Sequence, residues 1–393
     1  MNIQNPLNRR HLMVISAALA MSGMAHAAGV SDKEILIGTH LDLSGPTATG
    51  SSMLRNAMQM RLDEVNAKGI HGRKVKMVTE DNGSQPQMAV RAVQKMIRSD
   101  KVFAIVNPFG SGTNAATVKM ATDAGVVVFG PWAASSVIQR VSGNSPLLFT
   151  TVQNYDTTTA TGLGWAIKNW NTSRVGVIYQ EGPLGELMRS GINTAMKNAN
   201  LTLAAEAAYK VGDIDFSSQV AKMKAANVEL IFAGTVIRET VGVMAEVKKL
   251  NWTNVKVLTG IPGRSSVVTA LGKDTVDGLY GIGGWKLHDP ATTTDPAAKK
   301  FFTDYKARFG QEADENAANA YSWMGWFLAG VEATGTDLTA EKFAKAMQGV
   351  THEDFTTYTR LSFKNNHAMP ELVSIDQAKG GRWVQIAEPT DGK

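Results

Sequence analysis

The sequence predicts an α/β protein with two lobes, each built around a parallel sheet. Short β-like runs alternate with helical patterns, an order typical of parallel strands joined by crossover helices. Val102–Val106 is nearly all apolar, as expected for a strand covered on both faces. The alternation restarts near Arg174, and Val93–Asn107 lines up with Val220–Gly234 as helix, turn and apolar strand. The 393 residues suffice for two such lobes.

Hydrophobic spacing in the first half predicts the individual strands and helices. Leu54, Met58 and Leu62 recur every four residues, which places them on one face of a helix that Gly69 ends. The predicted strands are Glu34–Gly38, Val75–Val78, Val102–Val106 and Val126–Phe129. The predicted helices lie around Leu54–Val65, Ala89–Met96 and Thr117–Ala124.

The second half repeats this pattern. The predicted strands are Arg174–Tyr179, Leu201–Tyr209, Leu230–Gly234, Val255–Leu258 and Leu279–Ile282, with strand-like segments at Thr359–Phe363, Leu372–Asp376 and Trp383–Ile386. The predicted helices are Gly185–Asn200, Phe216–Met223, Pro296–Phe309, Ala317–Thr334 and Thr339–Gln348. No linker rich in Pro, Gly or Ser separates the halves. We therefore expect several short crossings, a hinge, and a ligand held between the lobes.

The first residues have the pattern of an export signal. Arg9 and Arg10 precede the apolar run Leu12–Met24, and Ala25-His26-Ala27 fits the small-x-small rule for cleavage. The run is shorter than the roughly 20 apolar residues of a membrane span. We predict a signal peptide at 1–27, cleavage near Ala27, and a periplasmic protein; an ordinary apolar N-terminal helix is the alternative. The two arginines match the twin-arginine pattern imperfectly, which favours the general secretory route.

Composition argues against several functional classes. The chain has no Cys, which excludes thiolate metal sites, Cys nucleophiles and lipidation of an N-terminal Cys. The net charge of +5 includes no basic run, so we expect no nucleic-acid partner. No H-E-x-x-H, phosphate loop or G-x-S-x-G elbow occurs, and Gly162-x-Gly164 lacks the third Gly of a dinucleotide site. We expect no enzyme activity, metal or cofactor.

Two loops that follow predicted strands are candidate ligand contacts. In open α/β sheets, ligands bind beyond the carboxyl ends of the strands. Asn107–Asn114 combines small residues and hydroxyls at a helix start, where free N–H groups favour an anion; a plain helix cap is the alternative. Gly130–Ser136 places Trp132 on a loop, either as a stacking wall or as part of the core.

Five segments are informative through their order and spacing. They are EILIGTHLDLSGP (34–46), DEVNAKGIHGRKVKMVTEDNGSQPQMAV (63–90), NPFGSGTN (107–114), AGVVVFGP (124–131) and GDIDFSSQVAKMKAANVELIFAG (212–234). Together they resemble the periplasmic leucine/isoleucine/valine-binding protein family, the type I substrate-binding proteins of ABC importers. The resemblance implies two Rossmann-like lobes joined by a three-crossing hinge near Thr150–Asn154, Gly283–Trp285 and Leu361–Phe363. It implies a first lobe of 33–150 and 285–360, a second lobe of 151–284, and a C-terminal segment of 361–393 that returns to the second lobe.

The resemblance also implies a binding site. In relatives that bind amino acids, a Ser-rich turn holds the ligand carboxylate, and this turn corresponds to Ser111, Gly112 and Thr113. The next loop corresponds to Trp132, Ala133 and Ala134, without the family's Thr. The acidic residue that holds the ligand ammonium corresponds to Pro262, and two aromatic positions correspond to Leu184 and Val236.

These departures predict a ligand that differs from an amino acid. Pro262 cannot pair with an ammonium, and Arg264 and Arg238 lie near it in the predicted site; Tyr155 adds an aromatic ring. We expect a carboxylate with an apolar or aromatic body and no α-amino group, gripped by lobe closure and delivered to a membrane permease by a monomeric receptor. The alternatives are an amino acid or amide whose ammonium meets Asp42, Glu181 or Glu239, and a periplasmic ligand sensor.

Overall fold

The structure, a computed structural model, describes residues 27–45, 47–134, 136–210, 212–363 and 372–391. The predicted signal peptide, apart from Ala27, lies outside these residues. The strands are β1 (Glu34–Leu41), β2 (Lys74–Asp81), β3 (Ala104–Val106), β4 (Val127–Phe129), β5 (Leu148–Phe149), β6 (Val175–Gln180), β7 (Ala205–Tyr209), β8 (Leu230–Gly234), β9 (Lys256–Thr259), β10 (Tyr280–Gly283), β11 (Thr351–His352), β12 (Leu361–Ser362), β13 (Val373–Lys379) and β14 (Arg382–Thr390).

The helices cover both faces of the sheets. They are α1 (Ala48–Lys68), α2 (Pro86–Lys95), α3 (Ser111–Asp123), α4 (Ser136–Val141), α5 (Tyr155–Asn169), α6 (Pro183–Asn198), α7 (Ser217–Ala225), α8 (Ile237–Lys249), α9 (Ser266–Gly272), α10 (Pro296–Phe309), α11 (Glu315–Thr334) and α12 (Ala340–Met347). The strands and helices predicted from hydrophobic spacing are present with boundaries shifted by a few residues.

Two separate sheets define the two lobes. The first sheet has the order β2-β1-β3-β4-β5, and all its strand pairs are parallel. The second has the order β14-β13-β10-β9-β8-β6-β7 and is parallel from β10 to β7. The predicted α/β class with two lobes is therefore confirmed. The lobe boundaries given above stay a prediction.

The C-terminal part of the second sheet is antiparallel. β13 pairs antiparallel with β10, and β14 pairs antiparallel with β13. Gly380 and Gly381 join β13 to β14 with positive φ angles of 59° and 76°, which a tight hairpin turn needs and glycine adopts without strain. The strand-like segment at 359–363 instead contributes β12, which pairs with β11 in a two-stranded ribbon.

The segments that connect the sheets are tied together by one side chain. Gln153 lies between β5 of the first sheet and α5, which packs on the second. Its amide nitrogen donates to the carbonyl oxygens of Gly284 and Leu372, at 3.3 and 2.9 Å. Those residues flank β10 and β13, so Gln153 joins three stretches of chain where the lobes meet.

Close packing explains the Gly162-x-Gly164 segment. Both residues lie in α5, and a Cβ added at Gly162 would stand 2.5 Å from Cδ1 of Ile282 on β10. A Cβ added at Gly164 would have no atom within 4 Å. The first glycine therefore allows the helix to approach the sheet, and the second has no such role.

We predict opposite effects of alanine at these two positions. Gly162→Ala lowers the free energy of unfolding by about 1–3 kcal/mol because Ile282 must move. Gly164→Ala, the matched control, raises it by about 0.4–1 kcal/mol because alanine favours the helix. Urea unfolding followed by circular dichroism measures both changes. Equal effects of the two substitutions contradict this packing.

Candidate ligand-binding cleft

A cleft of about 570 Å³ lies between the two lobes. Its walls come from the loops after β1, β3 and β4, from the segment after β9, and from Trp285 after β10. The lining residues are Thr47, Thr49, Gly50, Ser51, Met53, Leu54, Phe109, Gly110, Ser111, Trp132, Ala134, Val152, Tyr155, Ile237, Ile261, Pro262, Arg264, Ser265, Val267, Trp285, Asp314, Glu315 and Asn316.

Half of the predicted site residues line this cleft. They are Ser111, Trp132, Ala134, Tyr155, Pro262 and Arg264. Sequence reasoning missed the start of α1, Trp285 and the acidic start of α11, Asp314-Glu315-Asn316. Gly283–Trp285 was predicted as a crossing between the lobes, which would have placed Trp285 near the cleft. No sequence motif pointed to the start of α11 as a ligand contact.

Two members of the predicted anion-binding turn lie outside the lining. The Thr113 side chain is buried, and its hydroxyl donates to the carbonyl oxygens of Phe109 and Gly110, at 2.5 and 2.9 Å. Gly112 is exposed and faces Pro86, which lies 4.0 Å from the position of an added Cβ. Thr113 therefore shapes the loop, and Ser111 is the member of the turn that reaches the cleft.

The remaining predicted contacts lie behind or beside the cleft. Ala133 is buried in the core of the first lobe, and Leu184 packs against the core of the second. Val236 caps α8, and its neighbour Ile237 lines the cleft instead. Arg238 is exposed. Each of these four is a described residue that the lining does not include.

Aromatic rings form much of the apolar wall. The ring centroid of Trp132 lies 4.5 Å from that of Trp323 and 6.5 Å from that of Trp285, the latter pair nearly perpendicular. Burial raises the pKa of the Tyr155 hydroxyl to about 12, so it stays neutral. Isoleucines from α8 and the segment after β9 complete this wall. The cleft thus suits an apolar or aromatic body.

The cleft contains buried polar atoms without hydrogen-bond partners. They are the indole nitrogens of Trp132 and Trp285, the Ser51 hydroxyl and Nη1 of Arg264. Ser51 and Arg264 are 1% and 3% exposed. Unpaired buried polar groups are costly, so a ligand or water that reached these four atoms would gain from bonding to them.

Arg264 is held by an ion pair with Asp376 of β13. Nε and Nη2 both donate to Oδ2 of Asp376, and Nη2 also donates to the Tyr358 hydroxyl at 3.1 Å. Burial alone would lower the pKa of Arg264, but Asp376, Tyr358 and Glu315 together outweigh burial and raise it. The guanidinium is therefore charged and held in place, and its Nη1 is the nitrogen without a hydrogen-bond partner.

Glu315 connects the lobes across the cleft. Its carboxylate accepts hydrogen bonds from the Ser265 hydroxyl at 2.7 Å and from the Ser266 backbone N–H at 3.3 Å, and also from the Ser266 hydroxyl. Glu315 begins α11, whereas the serines precede and begin α9, near β9 of the second sheet. These donors occupy a carboxylate that otherwise faces the cleft.

Asp314, next to Glu315, caps α11. Its Oδ1 accepts from the Ala317 N–H at 2.8 Å, and its Oδ2 accepts from the Asn316 amide at 3.2 Å. Burial, together with the nearby Glu315, raises the pKa of Asp314 to about 6. Asp314 is therefore mostly ionised at pH 7 and is the acidic side chain of the lining that keeps the most hydrogen-bonding capacity.

The acidic alternatives considered from the sequence do not reach the cleft. Asp42 accepts from the N–H groups of Gly45 and Thr47 and from the hydroxyls of Thr47 and Ser84, at 2.6–2.9 Å. It therefore fixes the loop between β1 and α1. Glu181 and Glu239, both described, are absent from the lining.

The described residues include neither a cluster suited to a metal ion nor a helix suited to a membrane span. Their His, Asp and Glu side chains form no group of three that could hold a metal ion. Among the described helices, none combines the length and the apolar character that crossing a bilayer requires.

Comparison with known proteins identifies the family. The sequence profile described as periplasmic binding protein matches residues 34–382. A Leu/Ile/Val-binding protein of Rhizobium johnstonii is 25% identical over 84% of this chain and 86% of its own. A Thermus thermophilus branched-chain amino acid transporter structure with bound valine has a TM-score of 0.78 at 14% identity, covering 92% of this chain and 97% of its own.

A further solved structure shares the fold. The solute-binding protein of an R. palustris ABC transporter, in complex with benzoate, has a TM-score of 0.76 at 18% identity, covering 91% of this chain and 97% of its own. The chain belongs to the leucine/isoleucine/valine-binding, type I family of periplasmic binding proteins. It is accordingly a substrate-binding protein of the type that serves importers of branched-chain amino acids and related small molecules.

A buried histidine supports the first-lobe wall of the cleft. His40 is 1% exposed, and its Nδ1 lies 3.0 Å from the amide nitrogen of Asn82, which also donates to the Phe109 carbonyl at 3.0 Å. Burial lowers the pKa of His40 to about 4. The neutral ring can accept from Asn82, and the protonated ring cannot.

We predict that acid destabilises the protein through His40. The unfolded chain binds this proton near pH 6.5 and the folded chain near pH 4, so stability falls as pH is lowered through that window, by at most about 3 kcal/mol. His40→Gln removes this part of the pH dependence, whereas His71→Gln, at an exposed position, keeps it. Thermal unfolding from pH 7 to pH 4 measures both. Parallel curves for wild type and His40→Gln contradict the assignment.

Proposed function

We propose that the chain is the extracytoplasmic receptor of an ABC importer and binds a small carboxylate with an apolar or aromatic body and no α-amino group. The observation that carries this proposal is the pairing of aromatic and aliphatic walls with unpartnered hydrogen-bond donors, Arg264 among them. An apolar body fills such walls, and an anion satisfies such donors. The benzoate held by the R. palustris relative belongs to this ligand class.

The ammonium position argues against an α-amino acid. Pro262 lines the cleft where amino-acid-binding relatives are expected to carry an acid. Glu315, the buried carboxylate nearby, already accepts hydrogen bonds from Ser265 and Ser266. A buried ammonium without an anionic partner is unfavourable by several kcal/mol, roughly.

Binding proceeds by lobe closure. The lining comes from both lobes, so a ligand that contacts both stabilises the closed form over the open one. Ser111 and Trp132 of the first lobe bind first, and Pro262 and Arg264 of the second complete the site. The hydrogen bonds from Ser265 and Ser266 to Glu315 further stabilise the closed form. The closed receptor, exported to the periplasm, then docks as a monomer on its membrane permease.

Matched ligands test the proposal. Leucine and 4-methylpentanoate share a carbon skeleton and differ by the amino group, and benzoate adds an aromatic body. We predict that benzoate and 4-methylpentanoate bind at least about tenfold tighter than leucine, because leucine adds an unpaired ammonium. Isothermal titration calorimetry measures the three affinities. Leucine binding tighter than both acids overturns the proposal.

Asp314 favours a second candidate, a branched-chain or other amino acid. Its carboxylate lines the cleft and is mostly ionised at pH 7, which is what an ammonium requires. If the ligand is an amino acid, its carboxylate binds the same unpartnered donors, Arg264 among them, and its ammonium pairs with Asp314.

The pH dependence of binding separates the two candidates. Because the pKa of Asp314 is about 6, lowering the pH from 7 to 5.5 protonates most of it, while simple carboxylic acids stay ionised. We predict that benzoate binding tightens severalfold over this range, since a like charge disappears. An amino acid that used Asp314 would bind more weakly instead. Asp314→Asn, which keeps the helix cap, flattens the dependence; wild-type binding that weakens with acid contradicts the carboxylate proposal.

A further inference from the structure

The unpartnered atoms of the cleft share one chemical property. An indole nitrogen and a guanidinium nitrogen can only donate hydrogen bonds. Trp132, Trp285 and Arg264 each leave one such donor buried and unused. Ser51, which also lacks a partner, can donate as well. A group that satisfies them must be an acceptor, and a carboxylate oxygen makes a stronger hydrogen bond to a guanidinium N–H than a neutral oxygen does.

The three nitrogen donors belong to neighbouring parts of the structure. The rings of Trp132 and Trp285 lie 6.5 Å apart between centroids. The Arg264 guanidinium packs on the strand that leads to Trp285, since a Cβ added at Gly283 would stand 2.7 Å from its Cζ. The Tyr358 hydroxyl, which accepts from Arg264, donates to the Trp285 carbonyl at 2.6 Å.

We infer that Arg264, Trp132 and Trp285 form the carboxylate anchor of the cleft, Arg264 through Nη1 and the tryptophans through their indole N–H groups. This inference rests on the proposed function and assigns its anion recognition to these donors rather than to the turn at Ser111–Thr113. The Thr113 hydroxyl already donates to carbonyl oxygens of its own loop, so the turn has one hydrogen-bond donor fewer for a ligand carboxylate.

The anchor is fixed before ligand arrives. Asp376 holds two nitrogens of Arg264, and Tyr358 holds one of them as well. Ser374, two residues before Asp376 on β13, lies 2.6 Å from the Tyr358 hydroxyl, oxygen to oxygen. The anchor is thereby joined to the segments that connect the lobes, so a carboxylate at Nη1 also engages the region where the lobes move.

Conservative substitutions test the donors while keeping their shapes. Trp132→Phe and Trp285→Phe each remove an indole N–H and retain an aromatic ring, and Arg264→Lys keeps a charge beside Asp376. Trp165→Phe, in α5 and outside the lining of the cleft, is the matched control. The readout is the affinity ratio between a carboxylate and its amide, measured by calorimetry for benzoate against benzamide and for leucine against leucinamide. A purely structural role for these residues would weaken both members of a pair alike.

We expect wild type to prefer the carboxylate by about 100-fold and each Phe variant to lower that preference about tenfold, with Arg264→Lys lowering it further. Trp165→Phe leaves it unchanged. If only the leucine pair binds and its ratio responds, the anchor stands and the proposed ligand class fails. If the ratios are unchanged in the Phe variants, or if no member of either pair binds at millimolar concentration, the anchor is wrong. The tryptophan variants keep the test decisive if Arg264→Lys does not fold.

Discussion

The buried ion pair between Arg264 and Asp376 is the interaction on which the cleft depends. Removing one partner of such a pair costs about 3–5 kcal/mol because the other charge is left buried and alone. Here the pair also ties the segment after β9 to β13, and Tyr358 links it to Trp285. The pair leaves Nη1 of Arg264 buried and without a hydrogen-bond partner, in a residue that lines the space between the lobes.

The surroundings of that nitrogen explain how a simple binding protein can be selective. Aromatic rings and isoleucines line the cleft. In apolar surroundings of this kind each hydrogen bond is stronger, and each polar group left without a partner is more costly. The Glu315 carboxylate already accepts three hydrogen bonds from Ser265 and Ser266, which leaves it fewer acceptor positions for a ligand cation. Selectivity then follows from which polar groups of the lining already have hydrogen-bond partners and which do not.

The sequence predicted the fold well and the site in part. Helices such as α10 follow from apolar spacing, caps and a C-terminal glycine, all of which are local properties. Trp132 and Ser111 could be placed at the cleft from the sequence because they follow strands of a parallel sheet. The role of Gln153, the Glu315 bridge and the orphaned nitrogen of Arg264 could not be found, because each depends on residues more than 40 positions apart meeting in the folded chain. Thr113 and Leu184 were placed in the site by correspondence with relatives, whereas the structure bonds one to its own loop and packs the other against a core.

A crystal structure of the protein grown with benzoate tests the central claim most directly. The account predicts closed lobes, the benzoate ring against Trp132, and a carboxylate oxygen about 3 Å from Nη1 of Arg264 and from at least one indole nitrogen. A benzoate bound with its carboxylate at the Ser111 turn and away from Arg264, or an empty cleft beside a buried water at Nη1, would contradict it.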